Sequence, residues 1–151
     1  MRGLLILSMT VLMLAGCGAK ATDKPQVRDA WVRLAAVPGR PAAGYFTLKG
    51  GKADDKLLRI DSALVKAIEL HEGGMSGGMM TMKPIAAVPL PAGATIEFAP
   101  GGNHAMLFDI DKAITPGTAI PLLFSFANGV KVEVEAKTVP AGSDDIGGMK
   151  H

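Results

Sequence analysis

Apolar and polar residues alternate in short runs along most of this chain. Val130, Val132, Val134 and Ala136 interleave with Lys131, Glu133, Glu135 and Lys137, the period of a strand with one buried face. Ile120, Leu122, Phe124 and Phe126 alternate just upstream, and Asn128-Gly129 between the two runs is a strong hairpin signal. Further strand-like runs occupy 27–34, 43–49, 56–61, 64–72, 79–86, 94–98 and 104–110. No long stretch carries a helical period. Pro84, Pro89, Pro91, Pro100, Pro116 and Pro140 fall mostly at run ends, where a missing N–H is tolerated. The pattern predicts an all-β domain, an antiparallel sandwich or barrel of about eight to nine short strands.

One segment breaks the alternation. After Met1-Arg2, residues 3–14 are almost wholly apolar. That run is shorter than the roughly 20 residues a membrane-spanning helix needs, and it fits a secretory signal. It ends Leu14-Ala15-Gly16-Cys17, which resembles a bacterial lipobox. The resemblance implies cleavage before Cys17 and lipidation of its thiol; an ordinary signal peptide with a coincidental cysteine is the alternative. Multiple acyl chains give stable membrane attachment. The chain then divides into a signal at 1–16, a lipidated cysteine and tether at 17–26, a folded domain at 27–140 and a flexible tail at 141–151. The expected location is the periplasmic face of a bacterial membrane. Gly18 in place of an acidic residue after the cysteine favours the outer one.

Composition narrows the chemistry. A chain of 151 residues suits one domain. Sixteen Lys plus Arg against 14 Asp plus Glu give +2 with no concentrated basic run, so no nucleic-acid partner is expected. The single cysteine excludes an internal disulfide and any multi-cysteine zinc or iron–sulfur site.

Methionine and histidine are unevenly placed. Past the signal, six methionines remain, and five of them (Met75, Met79, Met80, Met82 and Met106) lie between His71 and Met106. Methionine used only to fill gaps would be spread along the chain. Gly73, Gly74, Gly77 and Gly78 form a flexible connector, and a hairpin folded on it brings His71 near Met80 or Met82. His104 and Met106, two apart on a strand, point to one face. Imidazole paired with thioether favours Cu(I) over zinc, calcium or magnesium, and a blue-copper centre would need a thiolate that lipidation removes. Thioethers also escape the disulfide oxidation that thiols meet outside the cytoplasm. Met79 and Met80 can be read as packing or loop residues. Met75, and His151 with Met149, are possible accessory ligands.

The spacing His71, ten residues, Met82, 21 residues, His104-Ala105-Met106 resembles the H-x10-M-x21-H-x-M signature of the periplasmic copper chaperones called PCu(A)C. Flanking segments are similar to that family too: Asp29-Ala30-Trp31-Val32-Arg33, Ala42-Ala43-Gly44-Tyr45-Phe46, Glu69-Leu70-His71-Glu72, Met82-Lys83-Pro84 and Pro100-Gly101-Gly102. The resemblance spans about Val27 to Pro140. It implies a cupredoxin-like β-sandwich with one Cu(I) held by His71, Met82, His104 and Met106. It also implies delivery toward the copper centre of a cytochrome oxidase, beside a thiol-containing partner chaperone. The 73–80 segment is unusually rich in Gly and Met, and the tail lacks a long His/Met extension.

These readings predict a monomeric Cu(I) metallochaperone rather than an enzyme. Copper sequestration without a dedicated acceptor is the alternative, because it needs the same ligands. An electron-transfer protein lacks its thiolate, and a purely protein-binding lipoprotein would not bind copper.

Overall fold

The computed structural model describes residues 22–143; the expected signal segment, Cys17, Met149 and His151 lie outside them. The described chain forms ten strands and, among the described residues, no helix: β1 (Gln26–Arg33), β2 (Ala42–Lys49), β3 (Asp55–Asp61), β4 (Val65–Ser76), β5 (Met79–Pro84), β6 (Val88–Leu90), β7 (Thr95–Phe98), β8 (His104–Ile110), β9 (Ala119–Phe126) and β10 (Lys131–Val139). The all-β expectation holds, with one strand more than the sequence suggested. That strand, β6, is three residues long with Pro89 at its centre, too short to alternate visibly, and it closes one end of the sheet against β3. A proline is tolerated there because an edge strand leaves one row of its N–H groups outside any ladder.

Hydrogen bonding links the strands in the order β5-β4-β8-β2-β1-β10-β9-β3-β6, with β7 also on β2. Every pairing is antiparallel except β1 with β10. The path is an open sheet that folds over on itself. Three strand spacings, about 14 Å if flat, separate β2 from β9, yet Phe46 and Phe124 meet edge-to-face at 4.8 Å. Phe98 stacks on Phe46 at 4.3 Å, and Leu48, Leu57, Leu90, Leu107, Ile120 and Val32 complete a fully buried centre. This is the layered arrangement of a cupredoxin-like β-sandwich.

Two local devices decide what faces outward from β1 and from the β4–β5 hairpin. In β1 the register slips between Arg28 and Trp31, and Asp29 takes φ 53. The slip is a bulge. Val27 points into the core, but Trp31 and Arg33, at the same parity, face the other side beside Tyr45 and Ala43. At the far edge, β4 runs through Gly73 and Gly74 to Ser76, and only Gly77 and Gly78 turn, with φ +58 and +78. Two positive-φ residues make a tight two-residue hairpin. The expected glycine connector is therefore mostly strand. At Asn128-Gly129 the hairpin forms as expected, but with a wider loop: Gly129 N–H donates to the Phe126 carbonyl at 3.0 Å and only Gly129 has positive φ.

Candidate metal centre

Cross-strand register assembles the site. His71 on β4 stands directly opposite His104 on β8. Directly opposed residues share a sheet face, and this face is the one turned away from the core, since Leu70 and Ala105, their neighbours, point inward. The rings lie nearly parallel, 22° apart, with centroids at 5.8 Å. One step along, Met106 faces Glu69 across the same ladder and Ala43 on β2. On the other flank β5 places Pro84 opposite His71 and Met82 opposite Gly73. Met82 is thus diagonal to His71 on the same face, and the glycine leaves the space beside it free of a side chain. Three neighbouring strands, β8, β4 and β5, carry the candidate residues side by side.

The imidazoles are buried and oriented. His104 is 9% exposed, and its Nδ1 lies 2.9 Å from the Gly102 carbonyl oxygen. A carbonyl only accepts, so Nδ1 carries the proton and Nε2 is left with its lone pair. The His71 side chain is 14% exposed; its Nε2 lies 3.1 Å from Glu69 Oε2. With Glu69 accepting, the lone pair falls on Nδ1, which is buried without a hydrogen-bond partner. Such an orphan costs about 1–3 kcal/mol unless something binds it. Partners of this kind are what fix the tautomer of metal-ligating histidines.

The thioethers are more accessible. Met106 is half-buried and Met82 is 59% exposed. Met82, His104 and Met106 line one open cavity of about 370 Å³ together with Arg33, Tyr45, Ala43, Pro41 and the 34–36 and 141–142 segments. Arg33 Nη2 donates to Tyr45 Oη at 2.7 Å and its guanidinium lies 5.4 Å from that ring's centroid; Tyr45 in turn packs on Trp31 at 4.5 Å. The β1 bulge is what brings this cation to the site. Among the described residues no group of three or more His, Cys, Asp and Glu is placed to hold a metal; the thioethers of Met82 and Met106 lie on the same face as the two imidazoles.

The four residues singled out from the sequence therefore fall on one face around one locus. Met75 and Met80 share that face further out, directly opposed to each other, whereas Met79 pairs with Ser76 on the opposite face. The reading of Met79 and Met80 as packing or loop residues does not hold: they lie in β5 and are 73% and 69% exposed, and Met75 and Met82 are exposed as well. His151 is outside the described residues. Sequence reasoning missed Glu69 and the Gly102 carbonyl as orienting groups. Glu69 was findable, two residues before His71 on a strand; a backbone acceptor leaves no trace in the sequence.

Comparison with known proteins agrees with this fold. The family described as "Putative lipoprotein LpqE-like" matches residues 26–138. "Putative lipoprotein Lxx21020" from Leifsonia xyli subsp. xyli is 32% identical over 111 residues, covering 73% of this chain and 66% of that protein; the chain thus spans just under two thirds of that relative's length. Among solved structures, the apo PmoF2 PCuAC domain superposes with a TM-score of 0.69 at 22% identity, over 83% of this chain and 97% of that one. The copper-bound PCuAC domain from PmoF2 gives 0.64 at 24% identity, over 80% and 96%. CuI-DR1885 from Deinococcus radiodurans gives 0.62 at 25% identity, over 82% and 83%.

Proposed function

This chain belongs to the LpqE-like lipoprotein family and has the fold of PCuAC domains, and from that footing we propose that it is an extracytoplasmic carrier of a single Cu(I) ion, bound by His71, Met82, His104 and Met106. The observation that carries the reading is the register: two opposed imidazoles with thioethers on both flanks of one exposed face. All four donors are neutral and two are soft, which suits a monovalent, polarisable ion. The nearby Arg33 guanidinium and the engagement of Glu69 by His71 disfavour a hard divalent cation that would want carboxylates. Related structures were solved with copper, one of them as Cu(I), which supports the same cargo here.

The ion changes ligands, not oxidation state, so the reading contains no catalytic step. Attachment through lipidated Cys17 would hold the domain on a short tether at the periplasmic face of a membrane. Met82 lies on the edge strand β5 and is exposed; an acceptor can displace it first and peel the ion away. That exposure favours handing copper on over storing it. The acceptor we assign is the copper centre of a cytochrome oxidase, reached directly or through a thiol-bearing partner chaperone. The test is a Cu(I) titration of the mature domain against a chelator, followed by mixing with the apo form of a soluble oxidase copper domain. One tight equivalent that moves to the acceptor is expected. Tight binding of zinc with no preference for Cu(I) would overturn the cargo, and retention of copper against the acceptor would turn the carrier into a store.

A further inference from the structure

The imidazole site uses one thioether of the β4–β5 hairpin. Three more methionines project from it, and their placement is not uniform. Met75 and Met80 are directly opposed across the hairpin, on the face that carries His71 and Met82. Each is 69% exposed. Met79, 73% exposed, stands on the other face opposite Ser76. The rungs run outward along one face as His71 with Pro84, Gly73 with Met82, then Met75 with Met80. Successive rungs on a face are two residues apart, about 7 Å. Met82 therefore sits midway between the imidazole rung and the outer thioether rung, and Gly73 leaves it no cross-strand side chain to pack against.

We infer that Met75, Met80 and Met82 form a second, outer Cu(I) position at the hairpin tip, through which the ion is passed to and from the imidazole site. This rests on the proposed Cu(I) cargo. Directly opposed strand residues have Cβ atoms about 5 Å apart, and two flexible thioether side chains from such a pair can converge on one ion. Thioether sulfur is the donor type that selects Cu(I). Met82 belongs to both positions, so the ion moves by exchanging one set of sulfurs for the imidazole nitrogens while keeping a bond to Met82. No electron moves, and the thioethers release no proton. The turn supports this geometry: Gly77 and Gly78, both at positive φ, close the hairpin with a two-residue loop that fixes the register. A slip of one residue would send Met75 or Met80 to the opposite face. Exposed methionine serving only solubility or general stickiness would have no reason to distinguish the two faces.

The experiment is a titration of the mature domain with Cu(I), stabilised as its acetonitrile complex, followed by the NMR signals of the methionine methyl groups. Wild type is compared with the Met75→Leu/Met80→Leu double variant, with Met79→Leu and with His71→Ala/His104→Ala. A first equivalent is expected to shift Met82 and Met106, and a second, weaker one to shift Met75 and Met80. The second phase should vanish in Met75→Leu/Met80→Leu and persist in Met79→Leu. It should also survive in His71→Ala/His104→Ala, where the inner position is gone. In stopped-flow loading from a Cu(I)–chelator complex, Met75→Leu/Met80→Leu should fill the inner position at least about fivefold more slowly than Met79→Leu. Binding of one copper with Met75 and Met80 unperturbed, and loading rates equal in the two variants, overturns the outer position and leaves the carrier reading standing. Failure of wild type to bind Cu(I) at all overturns both.

Discussion

Gly73 passes so close to Gly102 that a Cβ built on it would lie 2.3 Å from the Gly102 carbonyl oxygen, the same atom that holds His104 Nδ1. No side chain fits that gap without displacing backbone. Gly73→Ala is expected to push the turn before β8 outward and release the His104 ring. Cu(I) affinity should fall by at least about tenfold, equivalent to roughly 1.4 kcal/mol. Gly74→Ala is the control, since its Cβ would meet only Thr81 Oγ1 at 3.6 Å. Competition against a Cu(I) chelator on the two variants checks it; equal affinities would show that the close approach does not position His104.

Ligand methionines separate from bystanders by substitution with leucine. Met-to-Leu replacements usually cost under about 1.5 kcal/mol of stability, and at exposed Met82 the cost should be smaller still. Met82→Leu and Met106→Leu should leave the Tm of the metal-free domain nearly unchanged and weaken Cu(I) binding by at least about tenfold. Met79→Leu, on the other face, should change neither. Thermal melts and chelator competition on the three variants give the answer; a loss at Met79 equal to that at Met82 would refute the assignment of ligands by face.

Glu69 contacts the His71 ring, so its expected effect on copper is exerted through that imidazole. Removing such an orienting partner typically costs about 10–100-fold in metal affinity, so Glu69→Ala should fall in that range. Its side chain is 54% exposed, and the apo Tm should hardly move. Glu69→Gln keeps an acceptor oxygen and should restore most of the affinity. If Glu69→Gln and Glu69→Ala prove equally impaired, the hydrogen bond to His71 is not the cause.

Copper and protons compete for the imidazole lone pairs. Acidification should therefore weaken Cu(I) binding. His104→Ala, with one ring, should show a shallower decline than wild type. Competition titrations across pH, corrected for the chelator's own protonation, measure the slope. An affinity independent of pH in wild type would exclude the histidines as ligands.

The core is expected to be separable from the site. Phe124 is fully buried and meets Phe46 edge-on in the core, whereas His71 and His104 lie on the sheet face turned away from that core. Phe124→Ala should cost roughly 3–5 kcal/mol in denaturant unfolding, with the copper affinity of the remaining folded protein little changed.

The sequence was most legible where physics is local. Alternation located nine of the ten strands, and the unusual clustering of His71, Met82, His104 and Met106 pointed to one locus. It was least legible where a distant contact overrides a local preference. Gly73 and Gly74 looked like a connector because glycine is a poor strand residue, yet Gly73 lies in β4 against the Gly102 carbonyl. The bulge at Asp29 reversed the face of Trp31 and Arg33, so simple alternation through 27–34 would place that cation on the wrong side. Met80 and Met79 are adjacent in sequence and opposite in face, a distinction that needed the Gly77-Gly78 turn to set the register.

The parallel pairing of β1 with β10 ties the beginning of the domain to its end at the middle of the sheet. Until residues 131–139 exist and are free, β1 has one bare edge and the sheet is in two pieces. The order of synthesis helps such a chain little: the two pieces cannot join into one sheet before the last strand arrives. Folding must wait for the whole domain, and closing so long a loop places it among slow, high-contact-order folders, roughly milliseconds to seconds. A chain whose sheet stays in two pieces until its final strand emerges remains threadable throughout its passage across a membrane.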